Sequence, residues 1–263
     1  MKFASFPKFG FLLPVAAIFA LALAGCGGSD TLGLTQGNWA FSATSTVLTA
    51  PTTSGPTFVV GGNLTQSGTN LTGTMYITQS GCIPQQFVNF TGTVKGKNIS
   101  LTSENFGGEV ITVAATGSKD SLTGTYAVTG ECADSGTLSA NAVPSISGTW
   151  NGTISNIASG SKKLGVAEAT VSVALTQSAT PSEDGTFALT GTLTYSNSVC
   201  AATGTISNGF VAGSYLQMSG LTDDGDGEFD FTNVALNSTT APTSMTGDYD
   251  DCLGIQSVTL TKQ

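Results

Sequence analysis

Hydrophobic and polar residues alternate along most of the chain that follows residue 30. In the stretch 170–176, Val171, Val173 and Leu175 fall on one side of an extended chain, and Thr and Ser fall on the other. Alternation with a period of two residues is typical of a β-strand that buries one face. Because runs of β-branched and aromatic residues recur between clusters of Gly, Asn, Asp and Ser, the sequence predicts an all-β protein with tight turns.

The pattern predicts about eight strands in each half of the chain, arranged as an antiparallel meander. In the first half they cover 37–48, 57–66, 70–78, 86–95, 97–102, 108–115, 121–129 and 134–142. In the second half they cover 147–156, 166–177, 186–195, 199–207, 209–219, 228–237, 243–249 and 254–262. Residues 95–98 and 207–209 are tight-turn signals at matching places. Such a meander closes into an up-and-down barrel, and a two-sheet sandwich is the alternative that the same pattern permits.

Residues 1–25 differ from the rest of the chain. Lys2 and Lys8 precede an apolar run that is too short for a comfortable membrane span and fits a signal peptide. The run ends in Leu23-Ala24-Gly25-Cys26, which resembles the lipobox of bacterial lipoproteins. The resemblance implies cleavage before Cys26 and acylation of Cys26 with chains such as palmitate, which would anchor the protein to a membrane. Because Gly27 rather than Asp follows, it also implies sorting to the outer membrane; the alternative is an ordinary signal peptide with a chance Cys.

The remaining chain is an internal duplication. Its two Trp residues both stand in a Gly-x-Trp string, at Trp39 and Trp150, and a Leu-Thr-Gln-Ser string follows each of them, at 64–67 and 175–178. A Thr-Gly motif then recurs in both halves, with its glycines at Gly73, Gly92, Gly124, Gly191, Gly204 and Gly247. The sequence therefore predicts a tether at 26–35, a first barrel at 36–143 and a second barrel at 144–263.

The duplication indicates which of the possible disulfides form. Once Cys26 is assigned to lipid, Cys82, Cys132, Cys200 and Cys252 remain in an exported chain, where disulfides are expected. In an up-and-down barrel the loops after odd-numbered strands share one end. Cys82 follows the third predicted strand and Cys132 the seventh, and the second half repeats this placement. The predicted bridges are therefore Cys82–Cys132 and Cys200–Cys252, each at one end of its own barrel.

Composition limits the chemistry. The chain has no His, all eight of its basic residues are Lys, and its net charge of −9 makes nucleic acid a poor partner. Removing residues 1–25 takes away two Lys and no acid, which leaves a net charge of −11. Such a surface is expected to avoid anionic membranes unless a cation intervenes. Without His, and with its remaining Cys assigned, the chain offers no usual base for a nucleophilic triad, so it is predicted not to be an enzyme.

Two groups of acidic residues nevertheless suggest chemistry. Glu104 and Glu109 flank a hairpin turn, and a carboxylate pair of this kind is the basis of the alternative prediction, a lipid-anchored hydrolase. A second group, Asp223, Asp224 and Asp226, follows the fifth predicted strand of the second half. It falls at the same barrel end as Asp250 and Asp251 and predicts a weak Ca²⁺ site, with a solvated Asp-Gly turn as the plain alternative. No other cofactor is predicted.

A Gly-x-Trp that opens an eight-stranded meander resembles the lipocalin and avidin-like barrels, and the Thr-Gly-Thr strings are similar to those of avidin. The Gly/Thr-rich lipoproteins of some environmental bacteria resemble the chain over most of 36–263. These resemblances imply a ligand mouth among the loops after odd-numbered strands, although both Trp residues here lie on first strands and not at avidin's later positions. The predicted function is a membrane-anchored, non-catalytic barrel module, either binding an unidentified small molecule or protein or purely structural with filled barrels.

Overall fold

A computed structural model describes residues 32–46, 58–155, 169–198, 200–223 and 227–263. Sixteen β-strands account for most of these residues, and none of the described ranges contains a helix. Strands β1–β8 form one closed antiparallel barrel, and strands β9–β16 form a second. The prediction of two tandem eight-stranded barrels is confirmed, and the sandwich alternative is excluded.

Barrel one follows the predicted meander. Its strands are β1 Gly37–Ser45, β2 Phe58–Ser67, β3 Asn70–Ser80, β4 Gln86–Lys95, β5 Asn98–Ser103, β6 Val110–Gly117, β7 Ser121–Thr129 and β8 Asp134–Ala142. Each strand pairs with the next, and β1 closes the barrel against β8 with Trp39 opposite Ala142. The described loops after β3, β5 and β7 lie at one end of the barrel, called here the far end. The turns after β2, β4 and β6 lie at the other, called the near end.

Barrel two repeats the arrangement. Its strands are β9 Gly148–Ser155, β10 Ala169–Gln177, β11 Phe187–Ser196, β12 Thr203–Ala212, β13 Tyr215–Thr222, β14 Glu228–Leu236, β15 Ser244–Asp251 and β16 Gly254–Lys262. It closes through β16 against β9, where Val258 lies opposite Ile154.

The predicted turn at 207–209 is wrong. Strand β12 continues through these residues, and the chain reverses instead at Gly213, whose φ is +62°. The register between β12 and β13 shifts between Ile206 and Asn208, which is a β-bulge that absorbs the extra residue. Gly209 lies within the sheet, close to strand β13. A Cβ at this position would come within 3.1 Å of the Met218 side chain. The Asn-Gly pair therefore marks a close approach between neighbours, not a hairpin.

Both disulfide predictions are confirmed. Cys82 is bonded to Cys132 with 5.7 Å between their Cα atoms, and Cys200 is bonded to Cys252 with the same separation. Each bridge joins the loop after the third strand of its barrel to the loop after the seventh. The disulfides therefore tie together loops at one end of each barrel.

The duplicated strings have matching structural roles. The Gln66 side chain accepts a hydrogen bond from Leu34 N at 2.8 Å, and the Gln177 side chain accepts one from Ile146 N at 2.9 Å. The indole of Trp39 donates to Thr35 O, and that of Trp150 donates to Ile146 O. Each Leu-Thr-Gln-Ser string thus holds the segment that leads into the Trp-bearing strand.

Candidate functional site

The interior of barrel one is filled with side chains. Its buried lining includes Phe41, Phe58, Phe90 and Tyr126, and the cavity that these side chains line measures about 10 Å³. A cavity of that size holds about one water molecule at most. Among the residues that the structure describes, this cavity has no room for a lipocalin-type ligand.

Large side chains also occupy the interior of barrel two. Trp150, Phe229, Phe231 and Tyr249 are all buried, and the rings of Phe231 and Tyr249 pack edge-on with centroids 4.9 Å apart. Both Trp residues are fully buried, in agreement with a packing role for the Gly-x-Trp strings.

The near end of barrel one is covered by the chain that precedes β1. Leu34 is buried in the barrel core, and Leu32 packs against the same core. Leu32 N donates to Gly96 O at 3.1 Å, and Thr35 N donates to Lys119 O at 2.9 Å. Residues 32–35 of the predicted tether are thus bound to the barrel, and any free length begins before Leu32.

The two barrels are joined by hydrogen bonds between buried groups. The Asn38 side chain donates to Gly213 O at 3.0 Å and accepts from Gly213 N at 2.7 Å. Asn63 N donates to Gly185 O at 2.9 Å. A Cβ on Gly61 would lie 2.4 Å from the Gly213 Cα, so the two backbones approach as closely as glycine allows. The turn after β12 therefore rests directly on the wall of barrel one.

Aromatic rings from both barrels collect on the outer surface beside this joint. Tyr76 lies opposite Phe87 in the β3–β4 pair, and their ring centroids are 4.7 Å apart. The Tyr76 ring also contacts Phe210 at 6.0 Å and Tyr215 at 5.9 Å. Phe87 is 42 % exposed, and the other three rings are half-buried. These four residues are called the junction face.

Polar groups border the junction face. The Tyr76 hydroxyl donates to the Gln85 side chain at 3.2 Å. On the next outward positions of the same strands, Thr74 donates to the Asn89 amide oxygen at 2.8 Å, and the Asn89 amide donates to Glu104 at 3.0 Å. The face therefore combines apolar rings with oriented amide, hydroxyl and carboxylate groups.

The predicted carboxylate pair has structural partners. Glu104 accepts hydrogen bonds from the backbone and side chain of Asn89. Glu109 is buried, accepts from Cys132 N at 3.1 Å, and has one carboxylate oxygen, Oε2, without a hydrogen-bond partner. Each carboxylate thus supports a loop at the far end.

The predicted calcium ligands divide between two faces of barrel two. Asp223 is exposed, whereas Asp224 and Asp226 lie outside the described residues. Asp250 lies opposite Asp230 across the β14–β15 pair. Asp251 belongs to the other face of β15, because it accepts hydrogen bonds from Leu253 N and from the buried Gln256 side chain. Because Asp224 and Asp226 lie outside the described residues, the Ca²⁺ site stays a prediction.

Asp251 takes part in a network of buried polar groups beside the second disulfide. The Tyr249 hydroxyl donates to the Tyr195 hydroxyl at 3.0 Å. Burial raises the pKa of Tyr195 to about 12, and burial also raises the pKa of Tyr249 and of Asp251. The sulfur atoms of Cys200 and Cys252 lie within 4.8 Å of an Asp251 oxygen, but they are bonded to each other and are not free thiolates.

The predicted lipid-attachment residue, Cys26, lies outside the described residues. Within the part of the chain that is described, no helix has the length and hydropathy that a membrane span needs.

Comparisons with known proteins add little to this description. No protein-family model matches the chain, and no curated protein matches it significantly. A structural match is a crystallised mutant of the vaccine antigen Transferrin Binding Protein B from Haemophilus parasuis Hp5, which is 12% identical and aligns over 87% of this chain and 75% of that one. The TM-score of this match is 0.22.

Sequence reasoning missed the joint and the junction face. Asn38 is the middle residue of a Gly-x-Trp string, where only the Trp attracted attention. Tyr76, Phe87 and Tyr215 occupy outward positions on their strands, where a large aromatic residue breaks the polar half of the alternation. An apolar residue at a position that the period assigns to solvent is the signal that could have found the face.

Proposed function

We propose that the chain is a lipid-anchored, non-catalytic binding module that holds its ligand on the junction face. The observation that carries this proposal is the position of the aromatic residues. Large side chains occupy the interior of each barrel, whereas four rings from both barrels meet on the outer wall. Binding to this module therefore takes place on its outside.

The lipobox string supports the anchor. Acylation at Cys26 would leave five residues, 27–31, between the acylated residue and Leu32, where the chain is already bound to barrel one. Two or three acyl chains give lasting attachment to a membrane, which one chain does not. The outer membrane is the proposed location, because Gly27 follows the acylated position.

The chemistry of the junction face suits a neutral oligosaccharide. Ring faces such as that of Phe87 pack against the C–H groups of a sugar, and the side chains of Gln85 and Asn89 can exchange hydrogen bonds with its hydroxyl groups. A site with a few placed polar groups around apolar contacts is a usual basis of orientation and specificity.

The test is retention of the mature protein on immobilised cellulose, chitin, starch and xylan. We expect retention on at least one of them and a loss of about tenfold in affinity for Phe87→Ala, since a well-placed aromatic contact contributes about 1–2 kcal/mol. Ile255→Ala is the matched control, because Ile255 is an exposed apolar residue (64 %) on strand β16 of barrel two. Failure to bind any of the four, or an equal loss in Ile255→Ala, would overturn the assignment of a sugar ligand to this face.

A further inference from the structure

We propose that the near end of barrel one is a membrane-docking surface that contacts anionic phospholipid headgroups through Lys95, Lys97 and Lys119. This inference rests on the anchoring of Cys26 proposed above and adds a second, electrostatic contact with the same membrane. It concerns how the anchored protein stands on the bilayer.

The path of the chain places these lysines beside the anchor. Leu32 N donates a hydrogen bond to the carbonyl oxygen of Gly96, which lies between Lys95 and Lys97 in the turn after β4. Thr35 N donates a hydrogen bond to the carbonyl oxygen of Lys119 in the turn after β6. The segment from Cys26 therefore arrives at the barrel between the two lysine-bearing turns. The chain from Cys26 to Leu32 covers six residue-to-residue steps, about 22 Å at full extension, so the near end stays within about that distance of the acylated residue.

The charges of barrel one are segregated between its two ends. Lys95, Lys97 and Lys119 are all the lysines of residues 32–143, and all three are exposed at the near end. Four of the five acidic residues in the same stretch belong to the far end: Glu104, Glu109, Glu131 and Asp134. Asp120, at the near end, accepts a hydrogen bond from the Thr35 hydroxyl. The end that the anchor brings to the membrane is therefore the basic one.

A groove on the outer wall adjoins the lysines. It measures about 450 Å³ and is lined by Lys95, by Asn98 at the turn, and by small hydroxyl residues that include Thr93, Ser100 and Thr116. An ammonium group beside hydroxyl and amide donors provides the contacts that a headgroup phosphate accepts. The groove thus offers a headgroup phosphate hydrogen bonds in addition to the positive charge of the three lysines.

The acidic groups at the far end of barrel one do not oppose this contact. Electrostatic interactions fall off over a Debye length of about 8 Å at physiological ionic strength. The acidic far end of barrel one lies at the opposite end of strands that run for nine residues or so, about 30 Å at full extension. Of the charges on barrel one, an anionic surface beneath the near end therefore interacts mainly with Lys95, Lys97, Lys119 and Asp120, which together carry a net charge of +2.

The test uses the acylated protein in nanodiscs of pure phosphatidylcholine or of phosphatidylcholine mixed with phosphatidylglycerol. The rate at which a water-soluble acylating reagent modifies each lysine is read by mass spectrometry, and the discs of pure phosphatidylcholine are the control. We expect Lys95, Lys97 and Lys119 to react at least about fivefold more slowly on the anionic discs, because each lysine near such a surface is strongly attracted to it. High salt should remove the difference.

A matched pair of variants separates docking from anchoring. Lys119→Glu should restore the reactivity of Lys95 and Lys97 on anionic discs, and the charge-conserving Lys119→Arg should not. A protein that stays with the discs but shows equal lysine reactivity on both lipids overturns docking and leaves the anchor intact. A chain that carries no lipid and stays with neither disc overturns the anchor, and the docking surface with it.

Discussion

The side chain of Asn38 in barrel one hydrogen-bonds both polar backbone groups of Gly213 in barrel two. The donor–acceptor distances are 3.0 Å to Gly213 O and 2.7 Å from Gly213 N, and both residues are buried. A side-chain amide that satisfies both polar groups of one peptide residue fixes that turn in position and orientation. The barrels are therefore joined by a specific contact as well as by the chain between β8 and β9.

Asn38→Ala should weaken this joint. The substitution leaves the buried N–H and C=O groups of Gly213 without partners, at a cost of about 2 kcal/mol in the free energy of unfolding. We expect calorimetry to show the two barrels melting more independently, with a lower first transition. Asn208→Ala, at an exposed position on β12, is the control. An unchanged melting profile in Asn38→Ala would show that the joint contributes nothing.

Gly61→Ala should disrupt the contact between the two barrels through a steric clash. The new Cβ would lie 2.4 Å from the Gly213 Cα and 2.5 Å from Ala212 O, both of them backbone atoms that cannot rotate away. We expect destabilisation of about 1–3 kcal/mol by chemical denaturation. Gly33→Ala is the matched control, because nothing lies within 4 Å of a Cβ at that position. Equal stability of the two variants would contradict the close packing described for the joint.

Much of the fold was predictable because each strand carries its own signal. Period-two alternation gave sixteen strands, and most predicted bounds lie within three residues of those observed. The duplication then specified both disulfides, since matched loops meet at one barrel end. The predicted turn at 207–209 failed because Asn208 and Gly209 continue strand β12 past a β-bulge, and Gly213 supplies the positive φ of the turn instead.

The candidate site was less predictable, because it depends on how the barrels meet. Tyr76 and Phe210 are far apart in sequence, and their contact follows from the docking of β12 against barrel one. No periodicity within a strand encodes that docking. The sequence also did not predict the burial of Leu34 beneath barrel one, because residues 26–35 carry no strand pattern and were assigned to a tether.

The buried tyrosines should make stability fall at high pH. The pKa of Tyr195 is raised from 10.0 to about 12, chiefly by burial, and that of Tyr249 is raised as well. Since the folded state disfavours the phenolate, the stabilisation is fully present below pH 10 and is lost as the pH rises through about 12. Tyr195→Phe should reduce this alkaline loss in the free energy of unfolding by an amount on the order of 2 kcal/mol. The measurement is urea unfolding at stepped pH, and an unchanged alkaline slope in Tyr195→Phe would contradict it.

Calcium should stabilise barrel two weakly. Asp230 and Asp250 lie directly opposite each other, and like charges at paired positions destabilise a sheet. We expect a higher melting temperature in millimolar Ca²⁺, consistent with dissociation constants of roughly 10⁻⁴–10⁻³ M in extracellular modules. Asp224→Ala/Asp226→Ala should abolish the shift, and Glu183→Ala, at an exposed position before β11, should not. Calorimetry without any Ca²⁺ dependence at low ionic strength would leave an acidic hairpin with no assigned role.

Acylation of Cys26 is the claim on which anchoring, orientation and membrane docking all depend. The most direct measurement is labelling of growing cells with a radioactive fatty acid, followed by mass spectrometry of the N-terminal peptide of the mature protein. Label should appear in the wild-type protein on a peptide that begins at Cys26, and it should be absent from Cys26→Ala. An unlabelled wild-type protein, or a mature chain that begins elsewhere, would contradict the lipid anchor.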